Sequence, residues 1–209
     1  MKIGIYCTVT SKELSLALAT LKLPEYSDYV SDIAILITDG ISGDARKLTD
    51  KITIYSENFG SGYSKSIEDG GYDQISARNY IIDKLGVSGA DWVLMHDADD
   101  IYNTAFYRYI SLECNTSDAV TCSCFSVRPD ITLCAPDKKN KSTHSCGLVD
   151  PHTRIWKKSL GLRYEKSEGI EKYFVNHSRH CGVVFPERIK ISCTNGMYLP
   201  VCRCIWVSF

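Results

Sequence analysis

Apolar residues along the chain follow two different periods. Short runs rich in branched and aromatic side chains, at residues 2–9, 33–37, 52–55 and 92–95, are too brief for a helix core and predict strands. Between them, apolar positions recur at helical spacing. Leu14, Ala17, Leu18 and Leu21 predict a helix capped by Ser11 and stopped by Pro24; Ala77, Ile81 and Leu85 predict another, starting at Asp73 or Ser76 and closed by Gly86 and Gly89. Phe106, Tyr109 and Ile110 mark a third amphipathic segment over 102–112. Strand-like runs follow at 119–127, 153–157, 183–185 and within 189–207, while 163–180 mixes helical spacing at Ile170 and Phe174 with many charges. Residues 57–72, with Gly60, Gly62, Gly70 and Gly71, have no period and predict a loop. Residues 128–147 are equally aperiodic and read either as a solvated surface loop or as a lid whose lysines meet phosphate or an acceptor. No internal repeat is visible.

Strands alternating with helices predict an α/β fold with a mainly parallel sheet, and such sheets bind ligands beyond the carboxyl ends of their strands. Three polar clusters fall at that edge: Thr8 to Thr10, Asp39 to Asp44, and Asp97 to Asp100. The last is the most demanding. A buried run, Trp92-Val93-Leu94-Met95, runs through His96 into three carboxylates within four residues. Desolvated like charges repel and raise one another's pKa, so something positive is required there. A hard divalent cation with oxygen ligands, leaving positions for water and a diphosphate, would meet that need. The competing reading makes Asp99 and Asp100 a turn and helix cap. His96 is expected on the face opposite Asp97, as a core residue or a support behind the site.

Composition narrows the setting. The 209 residues suffice for one domain with a sizeable core, and a net charge of -1 argues against a chain-wide nucleic-acid footprint. The first ten residues lack the apolar run of a secretory signal, and no stretch approaches a membrane span, so a cytoplasmic location is expected. Ten cysteines are then expected as reduced thiols. Cys122, Cys124, Cys202 and Cys204 could supply four thiolates to zinc, but their i, i+2 spacing in strand-like segments favours ordinary packing.

The strand ending in Thr8-Val9-Thr10, the strand leading to Asp39-Gly40-Ile41-Ser42-Gly43-Asp44, the Gly-rich loop before Ser76-Ala77-Arg78-Asn79, and Asp97-Ala98-Asp99-Asp100 follow one another in a telling order. Over residues 2–125 the combination resembles the nucleotide-sugar half of family 2 glycosyltransferases with the GT-A fold. That resemblance implies a Rossmann-like nucleotide-diphospho-sugar transferase in one domain, residues 1–125 binding the donor and 126–209 forming a small acceptor lobe. It implies that Thr8 and Thr10 line the nucleotide pocket, that Asp39 faces the base, that Arg78 lies near the sugar nucleotide, and that Asp97 and Asp99 form the Asp-x-Asp motif. Asp99 would then ligate Mn²⁺ or Mg²⁺, and Asp97 would contact ribose or metal. The family's two acids before the glycine are reduced here to Thr38-Asp39. Its general-base acid lies downstream of a stretch like His152-Thr153-Arg154-Ile155-Trp156, where the nearest matches are Glu171 and then Glu168, without a Glu-Asp pair. A C-terminal histidine completes the metal shell in some GT-A enzymes, which makes His177 a candidate ligand, with His180 beside it at helical spacing.

These residue types suit glycosyl transfer. The leaving diphosphate needs its charge neutralised, and an acceptor hydroxyl must lose a proton to a carboxylate in an inverting enzyme. The expected donor is a UDP-sugar and the acceptor a hydroxyl of a glycan, lipid-linked sugar, protein or modified DNA base. Three alternatives stand beside it. One is a viral-type enzyme acting on hydroxymethylated DNA bases, with Lys138, Lys139 and Lys141 on the backbone. Another is a nucleotidyltransferase, disfavoured because Thr10-Ser11-Lys12 lacks glycines. The third is a nucleotide-sugar-binding module without turnover.

Overall fold

The computed structural model describes residues 1–61, 67, 69–86, 89–102, 104–112, 114, 117–122, 124–127, 152–166, 181–183, 191–193 and 202–205. In chain order the elements begin with β1 (Ile3–Val9), α1 (Leu14–Thr20), α2 (Lys22–Glu25), β2 (Val30–Ile37), β3 (Asp39–Lys47) and β4 (Ile52–Asn58). They continue with α3 (Gln74–Gly86), β5 (Trp92–Met95), α4 (Thr104–Leu112), β6 (Ala119–Cys122), β7 (Cys124–Val127) and β8 (His152–Lys157). A 3₁₀ turn at Lys158–Leu160 and strands β9 (Tyr164–Lys166), β10 (Cys181–Val183), β11 (Ile191–Cys193) and β12 (Cys202–Ile205) complete them.

Eight strands form one sheet in the order β11-β6-β8-β5-β1-β2-β4-β3. β1 pairs in parallel with both β2 and β5, and β2 with β4, so these four strands point their carboxyl ends to one edge. β8 lies antiparallel between β5 and β6, placing a late segment of the chain beside the central strands. The period of two along each strand divides the core. Ile3, Ile5, Cys7 and Val9 of β1, with Ile33 and Ile35, Trp92 and Leu94, and Ile155, pack with Ala17, Leu21, Phe106, Tyr107 and Ile110. The intervening Tyr6, Ala34, Leu36, Val93, Met95 and Trp156 pack with Ala77, Ile81 and Leu85 of α3 and with Tyr164. Helices therefore cover both faces, as a mixed sheet with long parallel connections requires. No helix among the described residues is long and apolar enough to cross a membrane.

Several local expectations are corrected. α1 is preceded by Glu13, not by a Ser11 cap: the Glu13 carboxylate accepts from the Thr10 backbone N–H and hydroxyl at 2.9 and 2.8 Å, and Ser11 turns to Asp39 instead. Pro24 does not stop the helical path but sits inside α2, where a first-turn residue needs no N–H. Asp39 to Asp44 is not a free loop. It opens β3, antiparallel to β4, with the register shift absorbed between Asp39 and Asp44 and Gly43 at φ 87°. The expected single strand at 119–127 is two strands in different sheets; residues 164–166 form a strand, while Ile170 and Phe174, which carry the helical spacing, lie outside the described residues. β7 and β12 pair in parallel with Cys124 opposite Cys202.

Candidate functional site

The site grows from the end of β5. His96 carries its backbone N–H to the Tyr6 carbonyl at 3.0 Å and leaves its ring only 1% exposed, 5.4 Å from that of Tyr102. The chain then closes on itself. Asp100 donates its N–H to the Asp97 carbonyl at 3.0 Å, while the Asp97 N–H donates to Asp100 Oδ2 at 3.1 Å. Asp100 is fully buried inside that turn; Asp97, Ala98 and Asp99 remain half-buried.

Two arginines provide positive charge at this turn. Arg154 of β8 places Nη1 2.6 Å from Asp97 Oδ2 and 2.9 Å from Asp100 Oδ2, bridging both acids. Arg78 of α3 places Nη2 3.6 Å from Asp97 Oδ1. Burial alone would raise the Asp97 carboxyl, but the Arg154 and Arg78 guanidiniums outweigh it and hold the group at about 2. Asp100 thus closes a turn, as the competing reading expects, but the helix it was expected to cap, α4, begins only at Thr104. Arg154 was not marked as a site residue by sequence reasoning, although a lone arginine between the β-compatible residues Thr153 and Ile155 was the available signal.

His96 Nδ1 lies 2.7 Å from the Asp97 carbonyl, which only accepts, so the ring proton sits on Nδ1 and buried Nε2 has no hydrogen-bond partner among the described residues. Burial is the main reason that its pKa falls to about 4, and the nearby Arg154 adds to it against the pull of Asp97. The unfolded ring protonates near 6.5 and the folded one near 4, so its contribution is complete above pH 6.5 and is lost as pH falls toward 4. In metal-free protein, urea unfolding should show about 3 kcal/mol less stability at pH 4 than at pH 7 from this group. His96→Gln should remove that component, and equal pH slopes in both proteins would show that His96 does not carry it.

The other predicted residues stand around the same edge. Thr8 accepts from the Tyr72 hydroxyl at 3.0 Å, and Thr10 is held by Glu13. Asp39 accepts from the Ser11 backbone N–H and hydroxyl at 2.7 and 2.9 Å. Thr38, standing where the resembled family has its first acid, is buried, and its hydroxyl donates to the Val9 carbonyl at 3.2 Å. Beside Asp39 opens a cavity of about 550 Å³, lined also by Asn58, Phe59, Gly60, Gly71 and Asp73. Its size is in the range of small-ligand sites. Backbone bonds from Phe59 N–H to the Thr38 carbonyl at 2.7 Å and from Asp73 N–H to the Phe59 carbonyl at 2.8 Å fix its wall. Gly60 has φ 81°, and a Cβ there would stand 2.3 Å from the Gly71 carbonyl oxygen. Among the described residues no three His, Cys, Asp or Glu side chains gather as a metal cage. Glu168, Glu171, His177 and His180, the loop lysines 138, 139 and 141, and the side chains of Cys122, Cys124, Cys202 and Cys204 lie outside the described residues.

No family model matches the chain, and no curated protein matches it in sequence. Solved structures do resemble it. TarS 1-349 of S. aureus aligns with a TM-score of 0.55 at 13% identity over 98% of this chain and 60% of that one. A longer crystal structure of S. aureus TarS aligns with a TM-score of 0.54 at 11% identity, over 99% of this chain and 37% of that one. The TarS 1-349 complex with UDP-GlcNAc aligns at 14% identity with a TM-score of 0.49, over 95% of this chain and 60% of that one. This chain thus spans 60% or less of the length of each of these three structures. The likeness is one of architecture: the α/β sheet described above has the GT-A-like fold of these glycosyltransferases.

Proposed function

We propose that the chain transfers a glycosyl group from a nucleoside-diphosphate sugar to a hydroxyl acceptor. The observation that carries this reading is the turn from Asp97 to Asp100, held by two arginines at the carboxyl edge of a GT-A-like sheet, together with the cavity beside Asp39. The base and ribose occupy that cavity and the Thr8–Asp39 rim, Asp39 meets the base, and the diphosphate runs toward Arg78. A UDP-sugar is the favoured donor; TarS, with which this chain shares its fold, has been crystallised with UDP-GlcNAc.

The acids divide the work. Asp97 already answers Arg154 and Arg78, so it orders the guanidiniums and the ribose. Half-buried Asp99 is the residue that fits a divalent cation, since Mg²⁺ and Mn²⁺ accept one or two carboxylates when phosphate and water complete their shell. When bound, such an ion neutralises charge on the leaving diphosphate. Arg78 adds fixed positive charge to the same end, and Glu171 or, second, Glu168 accepts the acceptor's proton in an inverting transfer.

Because Asp99 offers a cation one carboxylate and a diphosphate supplies further oxygens, metal and nucleotide should bind together. Thermal unfolding with UDP, GDP, ADP or CDP and their sugars should show stabilisation by one nucleotide only when Mn²⁺ is present. At a hundredfold excess over Kd it should amount to about 2.7 kcal/mol, and it should vanish in Asp99→Asn. No shift with any nucleotide in folded protein would sink the donor-site reading. Binding without turnover against an acceptor panel would favour the non-catalytic module.

A further inference from the structure

Tyr164 is tied down at its backbone and its side chain. Its backbone N–H donates to Asn79 Oδ1 at 2.8 Å, and its carbonyl accepts from Asn79 Nδ2 at 3.0 Å, so one side-chain amide on α3 pairs with the start of β9 as a neighbouring strand would. Its hydroxyl lies 2.6 Å from that of Tyr6 and 3.1 Å from Met95 Sδ. Its ring meets Trp156 edge to face at 6.4 Å, and the residue is 4% exposed. On this fixed ring rests the Arg78 guanidinium, 5.0 Å from the ring centroid.

The arrangement solves a problem specific to Arg78. An arginine has many rotamers, and an ion pair at 3.6 Å to a partly exposed carboxylate does not by itself fix the plane of the guanidinium. A flat aromatic face does, because the cation is attracted over the ring and stacks on it. Asn79 follows Arg78 on α3, so the residue that fastens the ring is the chain neighbour of the residue that the ring carries. Helix, ring and cation form one unit aimed at Asp97.

We propose that Tyr164 is a positioning residue of the donor site, its ring the platform that sets the Arg78 guanidinium against Asp97 and the diphosphate, with Asn79 as the fastening of that platform. The inference rests on the donor-site reading above. Calorimetric titration of the whole chain with UDP, GDP, ADP and CDP, each with Mn²⁺, selects the tightest binder as the probe. Tyr164→Leu should weaken that binder about tenfold, and Asn79→Ala should weaken it in the same direction with the ring retained. Tyr164→Phe, which keeps the ring, should bind close to wild type. The deciding measurement is a double-mutant cycle: if Tyr164 acts through Arg78, Tyr164→Leu should cost nothing further in an Arg78→Met background. Additive losses would overturn the proposal, because they would mean a general packing role. Should Tyr164→Leu not fold, the same cycle with Asn79→Ala decides. No binding by wild type would overturn the donor site and the platform together. Binding that falls with Arg78→Met and ignores Tyr164→Leu or, in its place, Asn79→Ala would overturn the platform alone.

Discussion

Arg154→Met is expected to cost about 3 to 5 kcal/mol of folding stability, the range seen when one partner of a buried ion pair is removed. Methionine keeps much of the side-chain volume and deletes the charge, so packing is not the main loss. Asp100 would be left fully buried with its 2.9 Å charge partner gone, and Asp97 would lose its 2.6 Å partner while Arg78 stays at 3.6 Å. The double variant Arg154→Met/Asp100→Asn should recover part of the loss, because an amide is far cheaper to bury than a carboxylate. Urea unfolding at pH 7 of the three proteins measures this. A single-variant loss under about 1 kcal/mol, the scale of an exposed pair, would mean that the turn is solvated and that Arg154 does not organise it.

The second large effect is expected at Gly60. Alanine there must adopt φ 81° and place its Cβ 2.3 Å from one backbone carbonyl oxygen and 2.8 Å from another, of Gly71 and Gly70. Left-handed backbone costs an alanine about 1 to 2 kcal/mol, and overpacking against rigid backbone about 1 to 3 more. Gly60→Ala should therefore lose about 2 to 5 kcal/mol. The wall that must yield also lines the cavity beside Asp39, so nucleotide-dependent stabilisation should fall as well. Gly43→Ala provides the comparison: φ 87° but nothing within 4 Å of the added atom, hence strain without collision. Equal losses at the two positions would show that the contact with residues 70 and 71 carries no cost.

Much of the fold is legible because it rests on local periods. The alternation in β1 and β2 sends their side chains to two faces, and the helical spacing of Ala77, Ile81 and Leu85 marks the buried side of α3. The cost of three clustered acids was equally readable from Asp97, Asp99 and Asp100. The identity of the residues that relieve it was not, since Arg154 lies 57 residues beyond Asp97 and reaches it only through the pairing of β8 with β5. The same holds for the Asn79–Tyr164 contact, 85 residues apart. The Asp39 segment misled for a different reason: glycines and small polar residues signal a turn, but an antiparallel neighbour such as β4 draws such a segment into a strand with a bulge. The extra turn at Pro24 shows the limit of a breaker rule, which holds for helix interiors and not for first turns.

The place of β8 also sets an order of assembly. β5 and β6 are not neighbours; each pairs with β8, which arrives in the chain after both. A nascent chain that has reached β6 already carries Asp97, Asp99 and Asp100, but not the guanidinium that bridges two of them. Without β8, β5 would be an edge strand beside an acidic turn that lacks Arg154, a non-local gap that only a later segment closes. The same strand fills the gap between β5 and β6 and bridges Asp97 to Asp100, so the site is complete only where the strand that carries Arg154 stands between its two neighbours.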